Sequence, residues 1–292
     1  MLDNVERAVT SVSDWIVSRS QSAGAASLVV GVSGGVDSAV VAGLCAMTGI
    51  PTYGVIMPCS SSPASISRAE EVISKYKIHR YLVDLELAFD SISEQVSPQR
   101  VKDKMSLGAL RSCLRAPTLD HVAKVHGGII VGTGNMNEDE VVRYYQKRGD
   151  GCVDISPIAK FHKSEIYQMA VDLDVPQSVI CATPSADLWG PDSGQEDEKE
   201  MDMTYSDIEW GIQFATRYSS IPLSVTGGNV TSIQIRNSVL MAKQQGIRLS
   251  DDQSRVLEKL VKMEEGSRHK ANPNLPVFQA RTILKLDEAV AV

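Results

Sequence analysis

The apolar positions of this chain change period several times, and each change marks a new element. Leu2, Val5, Val9, Val12 and Ile16 recur at helical steps and predict an amphipathic first helix, followed by a Ser/Gly-rich link over 18–25. The run Ala26 to Val30 then reads as a buried strand, and the apolar run Val40 to Met47 as a buried helix. Short β-prone segments at 52–57, 79–85 and 128–133 alternate with helical patterns at 64–76 and about 106–126, and Pro117 inside the last predicts a kink or a break. Strands apolar on both faces and separated by helices predict an α/β fold, a doubly wound, mostly parallel sheet with helices on both faces. Ligands of such sheets bind beyond the C-terminal ends of the strands.

Farther along, 162–173 reads as a helix with Ile166, Met169, Ala170 and Leu173 on one face, stopped before Pro176. The stretch 183–202 combines turn formers with a dense acidic run and predicts a mobile loop. Its acids read either as a solvated surface or as part of a loop that closes over a substrate. Helices follow at about 231–245 and 250–265, and a tail over 267–273 reads as extended. No boundary divides the chain. Residues 1–292 read as one domain, with a core of about 1–190 and C-terminal helices and tail from about 203.

The net charge of −7 argues against nucleic acid as a partner, because such binding draws its affinity from phosphate neutralisation. Cys45, Cys59, Cys113, Cys152 and Cys181 are scattered without a C-x-x-C pair, which removes zinc-ribbon and thioredoxin-like chemistry and fits reduced thiols. With no signal-peptide pattern and no long apolar stretch, the expected setting is cytoplasmic, away from membranes.

The chemistry concentrates at Gly31-Val-Ser-Gly-Gly-Val-Asp-Ser38, between the first strand and the second helix. Gly34 and Gly35 let backbone approach a phosphate, Ser33 and Ser38 add hydroxyls, and the first amides of the following helix point outward unpaired. The segment lacks the Gly-Lys-Ser/Thr ending of a Walker loop and the G-x-G-x-x-G of a dinucleotide fingerprint. Asp37 would repel phosphate unless a cation sat between them, and a hard carboxylate oxygen suits Mg2+. The turn Gly132-Thr133-Gly134-Asn135 falls at another strand end, so two loops converge on one crevice.

These segments, with Tyr144 to Gly151, Asp154-Ile-Ser-Pro157, His162-Lys163, Pro184-Ser-Ala-Asp-Leu188 and His269-Lys270, resemble the ammonia-dependent NAD synthetases, within the ATP-pyrophosphatase group that shares an S-G-G-x-D-S loop. The resemblance implies an adenine nucleotide α-hydrolase-like fold. It also implies a reaction in which the carboxylate of deamido-NAD is adenylated by ATP, with loss of pyrophosphate, and ammonia then displaces AMP. On that resemblance Gly31, Ser33, Gly34, Gly35, Ser38, Thr133, Lys163 and Ser185 bind ATP, with Asp37 and Lys163 catalytic. Asp37 and Glu138 hold Mg2+, with Glu140 an alternative because the spacing to Gly149-Asp150 is one residue longer than the family pattern. Lys147, Asp154, His269, Lys270 and Arg115 bind deamido-NAD, in a homodimer.

Ala109 and Cys113 stand where the family pattern carries Asn and Arg, which leaves Arg111 and Arg115 as the guanidinium groups of that segment. The stretch before residue 31 is too short for a glutamine-hydrolysing domain, so ammonia is expected free or from a separate protein. The competing readings are an ATP-pyrophosphatase acting on another acceptor, as in tRNA thiolation or GMP synthesis, and a nucleotide-binding module without turnover.

Overall fold

The computed structural model describes residues 2–96, 103–190, 195–223 and 229–271. Four parallel strands, β1 (Ser27–Gly31), β2 (Thr52–Ile56), β3 (His79–Leu82) and β4 (Gly128–Ile130), form a sheet of order β3-β2-β1-β4. The chain winds outward from β1 through α2 (Val36–Met47) to β2 and through α3 (Pro63–Tyr76) to β3. It then crosses through α4 (Glu86–Val96) and α5 (Lys104–Val125) to β4 on the other side of β1. The winding direction therefore reverses between β1 and β4, which is where a parallel sheet of this kind binds its ligand, beyond the C-terminal ends of these two strands.

Each sheet face buries its own cluster. On one, Leu28, Val30 and Ile56 pack with Val9 and Ile16 of α1 (Val5–Ser22), with α2, and with Ile166 and Met169 of α6 (Lys163–Asp172). On the other, Val29, Val55 and Ile130 meet Phe89 of α4 and Val122 of α5. A third cluster lies among the later helices, α9 (Tyr205–Tyr218), α10 (Ser232–Gln244) and α11 (Asp251–Ala271), around Ile208, Ile212, Ile235 and Leu260. Short helices α7 (Gln177–Ile180) and α8 (Asp197–Met201) link the two parts. No described helix is long and apolar enough to cross a membrane.

Two expectations are corrected and two are narrowed. Helix α1 runs through the expected link to Ser22, because Ser20 and Ser22 donate their hydroxyls to the Ile16 and Ser18 carbonyls. Helix α5 continues past Pro117 without a break, and Thr118 Oγ1 donates to the Leu114 carbonyl one turn back. The stretch expected as a mobile loop contains α8, which buries the side chains of Asp197 and Met201, while residues 191–194 lie outside the described residues. The expected extended tail is helical to Ala271, since Glu264 and Ser267 continue the buried face of α11 after its apolar residues run out. Residues 272 and 273 lie outside the described residues.

Candidate active site

The turn between β1 and α2 is held by its own hydroxyls. Ser38 Oγ donates to the Gly35 carbonyl at 3.0 Å and accepts from the Ser33 amide at 3.2 Å, while Ser33 Oγ accepts from the Gly35 amide at 3.2 Å. Gly34 sits at φ +84°, and a Cβ there would lie 2.2 Å from the Ser65 carbonyl oxygen, so only glycine fits. Gly35 is the N-cap of α2 and no side chain caps that helix, which leaves its first amides available to an anion. Gly31 closes β1, and Asp37 occupies the first turn of α2.

The loop after β4 reaches the same place. Asn135, fully buried, donates from Nδ2 to Asp37 Oδ1 at 3.2 Å and accepts the Glu138 amide on Oδ1 at 3.1 Å. Residues Asn137–Val142 then form a π-helical turn, closed by Arg143 in the left-handed region at φ 51°. A π turn holds one more residue than an α turn, so it absorbs the extra residue in this spacing. Glu138 thereby faces Asp37, while Glu140 turns away to Lys160 Nζ at 3.1 Å and the Val230 amide at 2.7 Å. Thr133 lies half-buried between β4 and this turn.

Lys163, at the start of α6, joins the two carboxylates. Its Nζ lies 2.6 Å from Asp37 Oδ2 and 2.9 Å from Glu138 Oε1, and 4.7 Å from the centre of the Tyr205 ring. Burial works against its charge, but Asp37 and Glu138 hold its pKa above the ordinary lysine range. Burial raises the Asp37 carboxyl against the pull of Lys163. Burial opposes ionisation of Glu138 too, yet Lys163, Asn135 and Tyr205 hold it below the usual carboxylate range. Asp139, next to these acids, is pushed well up by burial and then by Glu138, Asp150 and Asp37.

Asp37, Glu138 and Lys163 and the loop 31–38 thus meet at the C-terminal edge of the sheet, whereas Ser185, Asp154, Lys147 and Lys270 bond elsewhere. Ser185 is exposed and donates to the Gln195 carbonyl at 2.8 Å. Asp154 Oδ2 accepts the Ile130 amide at 2.8 Å, pinning the end of β4. Lys147 Nζ donates to the His269 carbonyl at 3.1 Å, and Lys270 Nζ to the Arg143 and Tyr145 carbonyls at 2.8 and 2.7 Å, so the end of α11 clamps the segment after the π turn. Arg111 is committed to the Leu188 carbonyl at 2.6 Å and to the Phe89 ring. Arg115 is half-buried on the same helix, within electrostatic reach of Asp150 and Asp187.

Sequence reading missed Tyr205 and Asp197. Tyr205 donates its hydroxyl to Glu138 Oε1 at 2.8 Å, and Asp197 Oδ2 lies 3.2 Å from the same hydroxyl. The legible signal was the capping box of Thr204 and Asp207, which starts α9 one residue before Tyr205.

A parallel α/β sheet with a glycine turn and two convergent carboxylates at its switch point defines a nucleotide-dependent enzyme scaffold. The NAD synthase family profile matches residues 8–245. The chain is 35% identical to the NH(3)-dependent NAD(+) synthetase of Carboxydothermus hydrogenoformans over 210 residues, 70% of this chain and 84% of that one. It is 38% identical to the NH(3)-dependent NAD(+) synthetase of Alkaliphilus metalliredigens over 215 residues, 70% and 83% of the two chains. The chain belongs to the NAD synthase family. Among solved structures, it resembles the NMN synthetase of Francisella tularensis with a TM-score of 0.74 and 27% identity, covering 94% of this chain and 99% of that one. The NH3-dependent NAD synthetase of Campylobacter jejuni, in complex with nitrate, shares the fold with a TM-score of 0.69 and 18% identity over 95% and 100% of the two chains.

Proposed function

We propose that this chain amidates deamido-NAD to NAD with ATP and ammonia, through an adenylated carboxylate, releasing pyrophosphate and AMP. The observation that carries the reading is the meeting of Asp37 and Glu138, from the two loops that part at the switch point, on a single cation position beside the uncapped start of α2. The donor set fits Mg2+. Two hard carboxylates converge, and no cluster of three or more His, Cys, Asp or Glu side chains forms a metal site among the described residues, so the other ligands would be phosphate and water. Mg2+ held by Asp37 and Glu138 would neutralise the triphosphate and favour departure of pyrophosphate.

The amides of the first turn of α2, with Ser33 and Ser38, would bind the phosphates that leave. Lys163 would move from the carboxylates to the phosphate oxygens and stabilise charge as it builds there. The substrate carboxylate attacks the α-phosphorus, and the P–O bond to pyrophosphate breaks. Ammonia then attacks the acyl carbon of the mixed anhydride, loses a proton, and AMP departs with the C–O bond electrons. No protein nucleophile is needed. Thr133 and Ser185 would contact ATP, and Arg115, Lys147, Asp154, His269 and Lys270 the dinucleotide, with Lys147, Asp154 and Lys270 first released from their present backbone partners. The reading includes a cytoplasmic homodimer, with ammonia free or supplied by a separate protein.

A second reading keeps the chemistry and shortens the substrate to nicotinate mononucleotide. The full-length likeness to the Francisella NMN synthetase favours it, as do Ala109 and Cys113 in place of the polar pair of the family pattern. Pyrophosphate release with Mg-ATP and ammonium, run with each acid in turn, decides. Release that requires deamido-NAD and yields NAD supports the first reading, and a higher kcat/KM for the mononucleotide supports the second. No release with either acid overturns both.

A further inference from the structure

We propose that Tyr205 is a positioning residue for Glu138, anchored from behind by Asp197, so that the metal carboxylate is aimed by the helical part of the chain rather than by its own loop alone. The inference deepens the proposed function and rests on Glu138 being a metal ligand.

Glu138 sits in a π turn, whose hydrogen bonds are poorer than those of an α-helix, and a glutamate has three rotatable bonds to fix. Asn135 binds its backbone amide and, from the same loop, also lowers the carboxyl pKa, so what anchors the carboxylate from outside that loop is Lys163 and Tyr205. Lys163 touches Oε1 at 2.9 Å, and on the proposed function this ammonium would leave for the phosphate. The remaining hydrogen bond on that oxygen is the Tyr205 hydroxyl at 2.8 Å. Among the described residues, Tyr205 is therefore the contact from the helical part of the chain that stays on this oxygen before and after the lysine moves.

Tyr205 is itself over-determined. It opens α9, its amide donates to Glu198 Oε1 at 2.8 Å, and its carbonyl accepts Asn137 Nδ2 at 3.1 Å from the π turn. Its hydroxyl has one hydrogen and two carboxylate neighbours, and the shorter contact assigns that hydrogen to Glu138. Asp197, on α8, supplies the second neighbour and is almost wholly buried. Its Oδ1 is buried with no hydrogen-bond partner, although the Ala186 amide faces the same carboxyl. A buried carboxyl with an idle oxygen is costly to keep. Its retention at this point is explained if it fixes the Tyr205 ring against Glu138, which makes correct folding of 195–205 a condition for a competent cation site.

The test uses full-length protein and Mn2+ as the probe, with free Mn2+ read by electron paramagnetic resonance in the presence of a non-hydrolysable ATP analogue. Tyr205→Phe keeps the ring over Lys163 and removes only the hydroxyl, and it is expected to weaken Mn2+ binding about tenfold, as outer partners of metal ligands commonly do. Affinity for the metal-free analogue should not change. In turnover, the Mg2+ concentration for half-maximal rate should rise while kcat at saturating Mg2+ is retained. Asp197→Asn should shift Mn2+ affinity in the same direction by less. Unchanged Mn2+ binding in Tyr205→Phe, or a fall in kcat that saturating Mg2+ does not restore, overturns the inference. Absence of Mn2+–nucleotide binding in the unaltered protein would instead overturn the metal assignment beneath it.

Discussion

Lys163 and Asp37, 126 residues apart in the chain, form a 2.6 Å ion pair in which the lysine is only 4% exposed. The ammonium holds the Asp37 and Glu138 carboxylates together, and on the proposed function a divalent cation brought by nucleotide would take its place. Lys163→Met leaves both carboxylates unpaired and is expected to cost about 3 kcal/mol of stability, measured by urea unfolding. The same variant should bind Mn2+ without nucleotide more tightly than the unaltered protein, and it should lose turnover. Equal Mn2+ binding by the two proteins would show that the ammonium does not occupy the cation position.

Asp37→Asn keeps the shape of the side chain and its contact with Asn135 while removing charge from the cation position. Pyrophosphate release is expected to fall by at least about 10²-fold, the scale of losing one stabilising group in a charged transition state. Far-UV circular dichroism should show an unchanged fold. Normal turnover in this variant removes Asp37 from the mechanism.

Much of this site was legible because its parts are local. The glycine turn, Asp37 and the strand before it are contiguous in the chain, and apolar runs give away parallel strands whatever packs on them. Glu138 and Glu140 could not be separated by spacing, since the choice depends on a π turn that forms only when Asn135 and Arg143 fix its ends. Tyr205 escaped for another reason. Helix α9 follows an acid-rich stretch, and its buried face, with Ile208, Ile212 and Ala215, meets α10 and α11 rather than the sheet. Helix α4 was missed too, with Phe89 its one buried side chain. The last turns of α11 carry Glu264, which pairs with Arg143 at 3.3 Å and Arg268 at 3.0 Å. Ion pairs, one of them to the distant Arg143, replace the apolar repeat there, and a periodicity reading stops where the repeat stops.

Asp197 makes stability depend on pH in a defined direction. Burial pushes its carboxyl up to about 7, from 3.8 in an open chain. Between these values the folded protein holds a proton that the unfolded chain has released, so stability falls as pH rises and levels off above about 7. Asp197→Asn lacks this dependence. Its stability relative to the unaltered protein should rise by roughly 2–3 kcal/mol between about pH 5 and about pH 8 in urea unfolding. A difference that stays constant across that range removes the buried acid from the account.

Gly34 and Gly35 separate backbone fit from ligand fit. Gly34→Ala places a methyl 2.2 Å from the Ser65 carbonyl oxygen at φ +84°, and should cost roughly 1–3 kcal/mol or more in thermal or urea unfolding. Gly35 lies at φ −90°, and the nearest atom to its added Cβ is Ser33 Oγ at 3.4 Å. Gly35→Ala should fold normally and lose nucleotide affinity in calorimetric titration, because its methyl would stand at the anion end of α2. Full affinity in Gly35→Ala would mean that ATP is held elsewhere.

The proposed homodimer needs apolar surface, and exposed apolar side chains lie on β3, α4 and α5. Leu82 on β3, Leu87 and Val96 on α4, and Met105 and Val125 on α5 are all exposed, Leu87 to 85%. An open edge strand flanked by apolar side chains is a liability in a monomer and a ready surface for pairing. Sedimentation at micromolar concentration is expected to give a dimer. The double variant Leu87→Glu, Val125→Glu should shift it to a monomer, with thermal unfolding of each chain little affected, since neither side chain is buried within one copy. A monomer in the unaltered protein, or a dimer that survives both charges, would move the interface away from β3, α4 and α5.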